Sequence, residues 1–178
     1  MAQKISLLVI DLQKEYLSAG RPLFVRDGQA VLDRSKRLMD AARRKGIGIV
    51  HIKHVSSDPA DETFNANSPW TNFAYDVPAG EPVVVKNRPG AFHSTTLDGI
   101  LRAAHVETVA VLGLLSFMCC DTTAREAHAR GYKVLFLEDA TAAIPLGTSM
   151  QFLSTRWSAR CRAGSSPGWS ALTDLSPR

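Results

Sequence analysis

Along this chain short, nearly unbroken apolar runs alternate with stretches whose apolar residues recur at helical spacing. The run Ile5 to Ile10 (ISLLVI) is continuous and partly β-branched, the pattern of a strand buried on both faces of a parallel sheet. From Gly28 to Lys45, Val31, Leu38 and Ala42 recur among arginines and lysines, and Gly46 stands where such a helix would stop. The run IGIVHIKHV predicts a second strand, followed by a long polar segment from Ser56 to Gly80, and PVVVK predicts a third. STTLDGILRAAHV predicts a helix, with Thr95 and Asp98 spaced as a capping box. ETVAVLGLL then gives a fourth strand, CCDTTAREAHARG a helix closed by Gly131, and KVLFLED a fifth strand.

Strands alternating with helices predict an α/β fold: a mostly parallel, doubly wound sheet between two helical layers, α/β/α, joined by right-handed crossovers. Residues 1–147 are expected to form that domain. Residues 148–178, rich in serine and arginine and without a β-branched run, form an atypical C-terminal segment that is either partly helical, over 149–163, or disordered. In sheets of this kind ligands bind beyond the carboxyl ends of the strands, where the strand order reverses. Asp11 follows the first strand, Lys86 ends the third, and Cys119 and Cys120 lie just beyond the fourth. An acid, a base and a thiol are thus expected on one rim.

Composition narrows the function. The chain has 178 residues, enough for one domain with a useful core. It contains no stretch of about 18 uncharged apolar residues, so no membrane partner is expected. The N-terminus meets Asp11 directly after its short apolar run and reads as a strand rather than an export signal, which predicts a cytoplasmic protein. Three cysteines, Cys119, Cys120 and Cys161, are too few and too oddly spaced for a disulfide framework or a zinc site. The net charge of +4 is concentrated after residue 150, where four arginines face one aspartate, and the nearly neutral remainder offers no surface for nucleic acid.

Taken singly, each rim residue has an ordinary reading: a turn aspartate, a solvated lysine, a buried structural cysteine. Their coincidence at strand ends favours chemistry. A thiol at a helix N-terminus meets unpaired N–H groups and the positive end of the dipole, which predicts a lowered thiol pKa.

The segments LLVIDLQ, VVVKNRPGAFHSTTL and GLLSFMCCDTTAREAHARGYKVLFLEDATAA, within Ser6 to Ala143, resemble the isochorismatase-like cysteine hydrolases. The resemblance implies a triad of Asp11, Lys86 and Cys119, since the family nucleophile precedes a Thr-Ala pair by four residues, here Thr123 and Ala124. Successive helical side chains diverge by about 100°, so Cys120 should face away and pack. The resemblance also implies a cis bond between Leu114 and Leu115 and an oxyanion hole from the backbone N–H groups of Leu115 and Cys119. The implied reaction is hydrolysis of a C–N bond (amide, ureide or carbamoyl) in a small molecule, without cofactor. Alternatives are the vinyl ether cleavage of relatives that lack the cysteine, a silent binding or assembly subunit, and a redox pair of vicinal thiols.

Within the 56–77 segment Phe64, Trp70, Phe73 and Tyr75 are candidates for the wall of a substrate pocket, with Phe64 and Trp70 foremost, and Gln13 for a substrate contact or a support of Asp11. Packing and an exposed glutamine are the competing readings. No metal is expected: the metal-binding nicotinamidase branch uses an Asp-x-His and a further His after the second strand, whereas His51 and His54 lie three apart in a strand, on opposite faces. The resemblance implies a homo-oligomer, so light scattering on an eluting peak should give a mass above the 19.4 kDa of one chain; a clean monomer at micromolar concentration contradicts this.

Overall fold

A computed structural model describes residues 4–144. The predicted helix over 149–163, Cys161 and the rest of the C-terminal segment lie outside the described residues. Five parallel strands, β1 (Ile5–Ile10), β2 (Gly48–His54), β3 (Val83–Lys86), β4 (Thr108–Leu114) and β5 (Lys133–Ala142), form one sheet in the order β3-β2-β1-β4-β5. The helices are α1 (Lys14–Leu17), α2 (Gly28–Arg44), α3 (Leu97–Ala103) and α4 (Asp121–Ala129). Chain order reverses at β1, which has β2 on one side and β4 on the other.

The alternation within β1 builds two cores. Leu7 and Val9 join Val31, Leu38 and Met39 of α2 on one face. Leu8 and Ile10 join Leu97 and Leu101 of α3, Ala127 of α4 and Val84 of β3 on the other. This is the expected three-layer arrangement. Among the described residues no helix is long and apolar enough to cross a membrane.

Local details depart from the sequence pattern. The short α1 was not anticipated, because four residues are too few to display a helical period. Thr95 accepts the Leu97 N–H at 3.3 Å and donates to the Ala91 carbonyl, but no reciprocal capping box forms. Asp98 instead accepts from the Tyr132 hydroxyl at 2.7 Å and from Arg102. The helix after β4 is preceded by a wide π-type turn, Ser116–Cys120, in which the Cys120 N–H reaches the Leu115 carbonyl at 3.1 Å.

One glycine is required for the site to form. Gly113 pairs with Ile10 across β1 and β4, has φ of +123°, and would place a Cβ 2.0 Å from the Ile10 carbonyl oxygen. Any side chain there pushes β4 off β1 just before the cysteine turn. Gly113→Ala should therefore destabilise the fold by more than about 3 kcal/mol, read from urea denaturation; a loss below about 1 kcal/mol would show that the strands tolerate the added methyl.

Candidate active site

Each strand tip delivers one group. Asp11 follows β1 with φ of +48°, a left-handed conformation that Asp tolerates better than most residues and that ends the strand sharply. Its N–H donates to the Ile52 carbonyl at 3.1 Å. Lys86 ends β3, two strands away, and its long side chain crosses the tip of β2. Cys119 lies in the π-type turn after β4, beyond the cis peptide between Leu114 and Leu115 that the resemblance implied.

These three groups converge under complete cover. Lys86 Nζ lies 2.7 Å from Asp11 Oδ2, with both side chains shielded from solvent. The same nitrogen donates to Cys119 Sγ at 3.4 Å and to the Arg88 carbonyl at 3.1 Å. The contact with Lys86 is an ion pair through Oδ2, and the Asp11 carboxylate keeps acceptor capacity at Oδ1. The loop after β3 is docked on α4: the Ala91 N–H donates to Thr123 Oγ1 at 3.1 Å and the Phe92 N–H to Glu126 at 3.1 Å. Thr123, the marker that selected Cys119, thus also anchors the Lys86 loop.

The thiol differs from expectation. Burial, and then the charge of Asp11, push the Cys119 thiol up to about 12, against the opposing pull of Lys86. The expected lowering at a helix N-terminus does not occur, because the sulfur sits in the π-type turn beside a carboxylate rather than at open N–H groups. For Lys86, burial favours the neutral amine, but Asp11 and Cys119 outweigh it, and the net shift is upward. These upward shifts favour an ammonium, ion-paired with Asp11, beside a protonated thiol. Cys120 is fully enclosed in the α3/α4 core, and burial raises its thiol well above the ordinary range. Of these two thiols, Cys119 is the one that touches Lys86.

The other candidates are redistributed. Gln13 is buried, and its amide donates to the His54 and Thr71 carbonyls at 2.8 and 2.7 Å and accepts from the His54 N–H at 2.8 Å. It braces the strand tips and, with both N–H donors engaged, has none left to donate to a substrate. Phe64, buried with φ of +54°, packs edge-on against Tyr16 and His54 with centroids 5.1 and 4.9 Å apart. Trp70 is half-exposed under Arg21. Phe73 and Tyr75 pack around His51 and line a cleft of about 560 Å³ that no triad residue borders. The four aromatics therefore do not form one wall: Phe64 packs at Tyr16 and His54, Phe73 and Tyr75 at His51, and Trp70 at Arg21.

Two neighbours were not legible as site residues. Tyr16 is buried, and burial together with the charges of Cys119 and Asp11 raises its phenol well above its ordinary value. His54 Nδ1 lies 3.1 Å from Lys86 Nζ. His51 faces the opposite side, held by Glu81 at 2.6 Å and the Tyr75 hydroxyl at 2.8 Å. Each histidine is thus engaged elsewhere, and among the described residues no group of three or more His, Cys, Asp or Glu side chains is arranged to hold a metal.

Residues 6–161 match the family model described as the isochorismatase domain. The chain belongs to the isochorismatase family. It is a hydrolase of that family, with a five-stranded parallel sheet of the isochorismatase-like fold. It is 32% identical over 143 residues to the uncharacterized isochorismatase family protein YddQ of Bacillus subtilis, covering 79% of each chain. It is similar to Nicotinamidase 3 of Arabidopsis thaliana, at 29% identity over 153 residues, covering 77% of this chain and 72% of that protein. The crystal structure of an isochorismatase from Pseudomonas putida KT2440 superposes with a TM-score of 0.78 at 29% identity, covering 93% of this chain and 87% of that one.

The electrostatics predict opposite effects from the two charged partners. Iodoacetamide labelling of Cys119 should keep rising with pH above the ordinary thiol range of about 8.5, since its raised pKa keeps the thiol protonated there. Asp11→Asn should speed labelling at pH about 8 and Lys86→Met should slow it; equal rates in both variants would mean that neither charge reaches the sulfur.

Proposed function

We propose that this chain hydrolyses a carbon–nitrogen bond of a small amide, ureide or carbamoyl compound, with Cys119 as nucleophile, Asp11 as proton carrier and Lys86 as the cation that serves both. The observation that carries this reading is the position of Lys86 Nζ, 2.7 Å from a buried carboxylate and 3.4 Å from a buried sulfur. A thiol raised to about 12 is a poor nucleophile by itself and needs an adjacent base. Asp11, with acceptor capacity in hand, is that base.

In the first step the Cys119 S–H bond breaks, its proton goes to Asp11, and the sulfur attacks the carbonyl carbon. The oxyanion that forms is held by the backbone N–H groups of Leu115 and Cys119, a type of support whose loss costs about 100- to 1,000-fold in rate. Asp11 then protonates the departing nitrogen, the C–N bond breaks and a thioester remains. Water, deprotonated by Asp11, attacks the thioester, and the thiol regains its proton. Selectivity rests with the 56–77 segment, where Phe64 beside His54 is the innermost aromatic. A relative whose name is nicotinamidase supports an amide-type bond. The reading for vinyl ethers has less support, since that chemistry does not call for a thiol.

The test is a panel of amides, ureides and carbamoyl compounds assayed for ammonia release. A hydrolysed compound should be found, and Cys119→Ala should lower its kcat by about 1,000-fold or more, while Cys120→Ala changes it little. Wild-type turnover by Cys119→Ala contradicts the assignment.

A further inference from the structure

The carboxyl ends of four neighbouring strands carry, in sheet order, Lys86 on β3, His54 on β2, Asp11 after β1 and the Cys119 turn after β4. Three of these make the proposed triad; His54 is the fourth. It is the register partner of Lys86 across β2 and β3, and its Nδ1 lies 3.1 Å from Lys86 Nζ. One side chain fixes its backbone from both sides, since the Gln13 amide accepts from the His54 N–H and donates to the His54 carbonyl, each at 2.8 Å. The Phe64 ring closes on the imidazole from the 56–77 segment. This surface-loop aromatic and a strand-end glutamine thus hold one imidazole against one ammonium.

An ammonium has three N–H donors. Around Lys86 Nζ stand four acceptors: Asp11 Oδ2 at 2.7 Å, His54 Nδ1 and the Arg88 carbonyl at 3.1 Å each, and Cys119 Sγ at 3.4 Å. The sulfur is the most distant of the four. We propose that His54 is a positioning residue of the triad: as an uncharged acceptor it takes a share of the three Lys86 N–H groups and so keeps the hydrogen bond to the Cys119 sulfur long and weak while the thiol is protonated. This rests on the triad reading above. When the thiol proton passes to Asp11, an S–H bond breaks, an O–H bond forms and no electrons are exchanged. Asp11 becomes neutral, its hold on Lys86 weakens, and the N–H that faced it turns to the new thiolate. His54 and the Arg88 carbonyl remain as two fixed tethers throughout.

The role requires a neutral imidazole with its proton on Nε2. The charged and titratable groups that act on it are Lys86 from β3, Asp11 from β1 and Asp61 from the loop after β2. Burial first, then the charge of Lys86, lower the His54 pKa, against the two aspartates. Protonation would set a second cation against Lys86.

Two measurements on the full chain test the proposal, and neither needs a substrate. Long-range proton–nitrogen NMR of protein labelled with ¹⁵N-histidine should show His54 with a bare Nδ1, titrating below about 6.5, and Lys86→Met should move that titration upward. A proton on Nδ1, or a titration unmoved by Lys86→Met, overturns the proposal. In His54→Leu the freed N–H turns to the sulfur, so iodoacetamide labelling of Cys119 at pH about 8 should quicken about threefold or more. His54→Asn, which keeps a neutral acceptor, should return labelling to the wild-type rate; a packing defect alone would affect both variants alike. Labelling in folded His54→Leu no faster than wild type overturns the proposal. Failure of the substrate panel would overturn the hydrolytic reading and leave these results standing.

Discussion

Two opposite charges are buried together at the carboxyl end of this sheet, and each makes the other tolerable. An ammonium or a carboxylate removed from water costs several kcal/mol after relaxation, and either alone at this depth would discharge or admit solvent. Lys86 and Asp11, 2.7 Å apart and shielded, avoid that outcome by pairing. Much of the surrounding structure maintains the pair. Gly113 lets β4 approach β1, Thr123 and Glu126 dock the loop that follows Lys86, and Gln13 ties the tips of β1 and β2 together. Removing one charge would leave the other unpaired in a dry core.

The pair also sets the state of the sulfur. Burial and the neighbouring carboxylate both oppose a thiolate, and Lys86 only partly offsets them. On the proposed reading, the site stores its nucleophile as a thiol and makes it reactive by moving one proton over a short distance. A neutral thiol in a closed site is protected from adventitious alkylation and oxidation, which act on the thiolate. The order of groups along the sheet, cation, imidazole, carboxylate, thiol, follows from the strand order alone. A chain that wound its strands in another order would not bring Lys86 within reach of both partners.

Much of this was legible in the sequence because parallel strands announce themselves. The runs at 5–10, 83–85 and 108–114 are nearly all apolar, and the residues that follow them, Asp11, Lys86 and the nearby cysteines, stand out for that reason. The choice of Cys119 over Cys120 followed from the family resemblance, which places the nucleophile four residues before a Thr-Ala pair, and of these two sulfurs the structure puts the first against Lys86. His54 was hidden because β2 carries two histidines and a lysine, so its end shows no contrast of polarity. The roles of Gln13, Tyr16 and Phe64 were obscured for another reason: the Gln13 amide meets His54 and Thr71, 41 and 58 residues on, and Tyr16 meets Phe64, at separations no local pattern encodes. The direction of the thiol shift was missed because a helix N-terminus was inferred where the chain makes a wider turn first.

The claim on which the account turns is that the resting site holds an ion pair beside a protonated thiol. Infrared difference spectroscopy of wild type against Cys119→Ser reads this directly, since the S–H stretch lies in a region free of other protein bands. The account predicts an S–H band from Cys119 at neutral pH that fades only in strong alkali. Absence of that band at neutral pH, with thiolate absorbance in the ultraviolet, would contradict it.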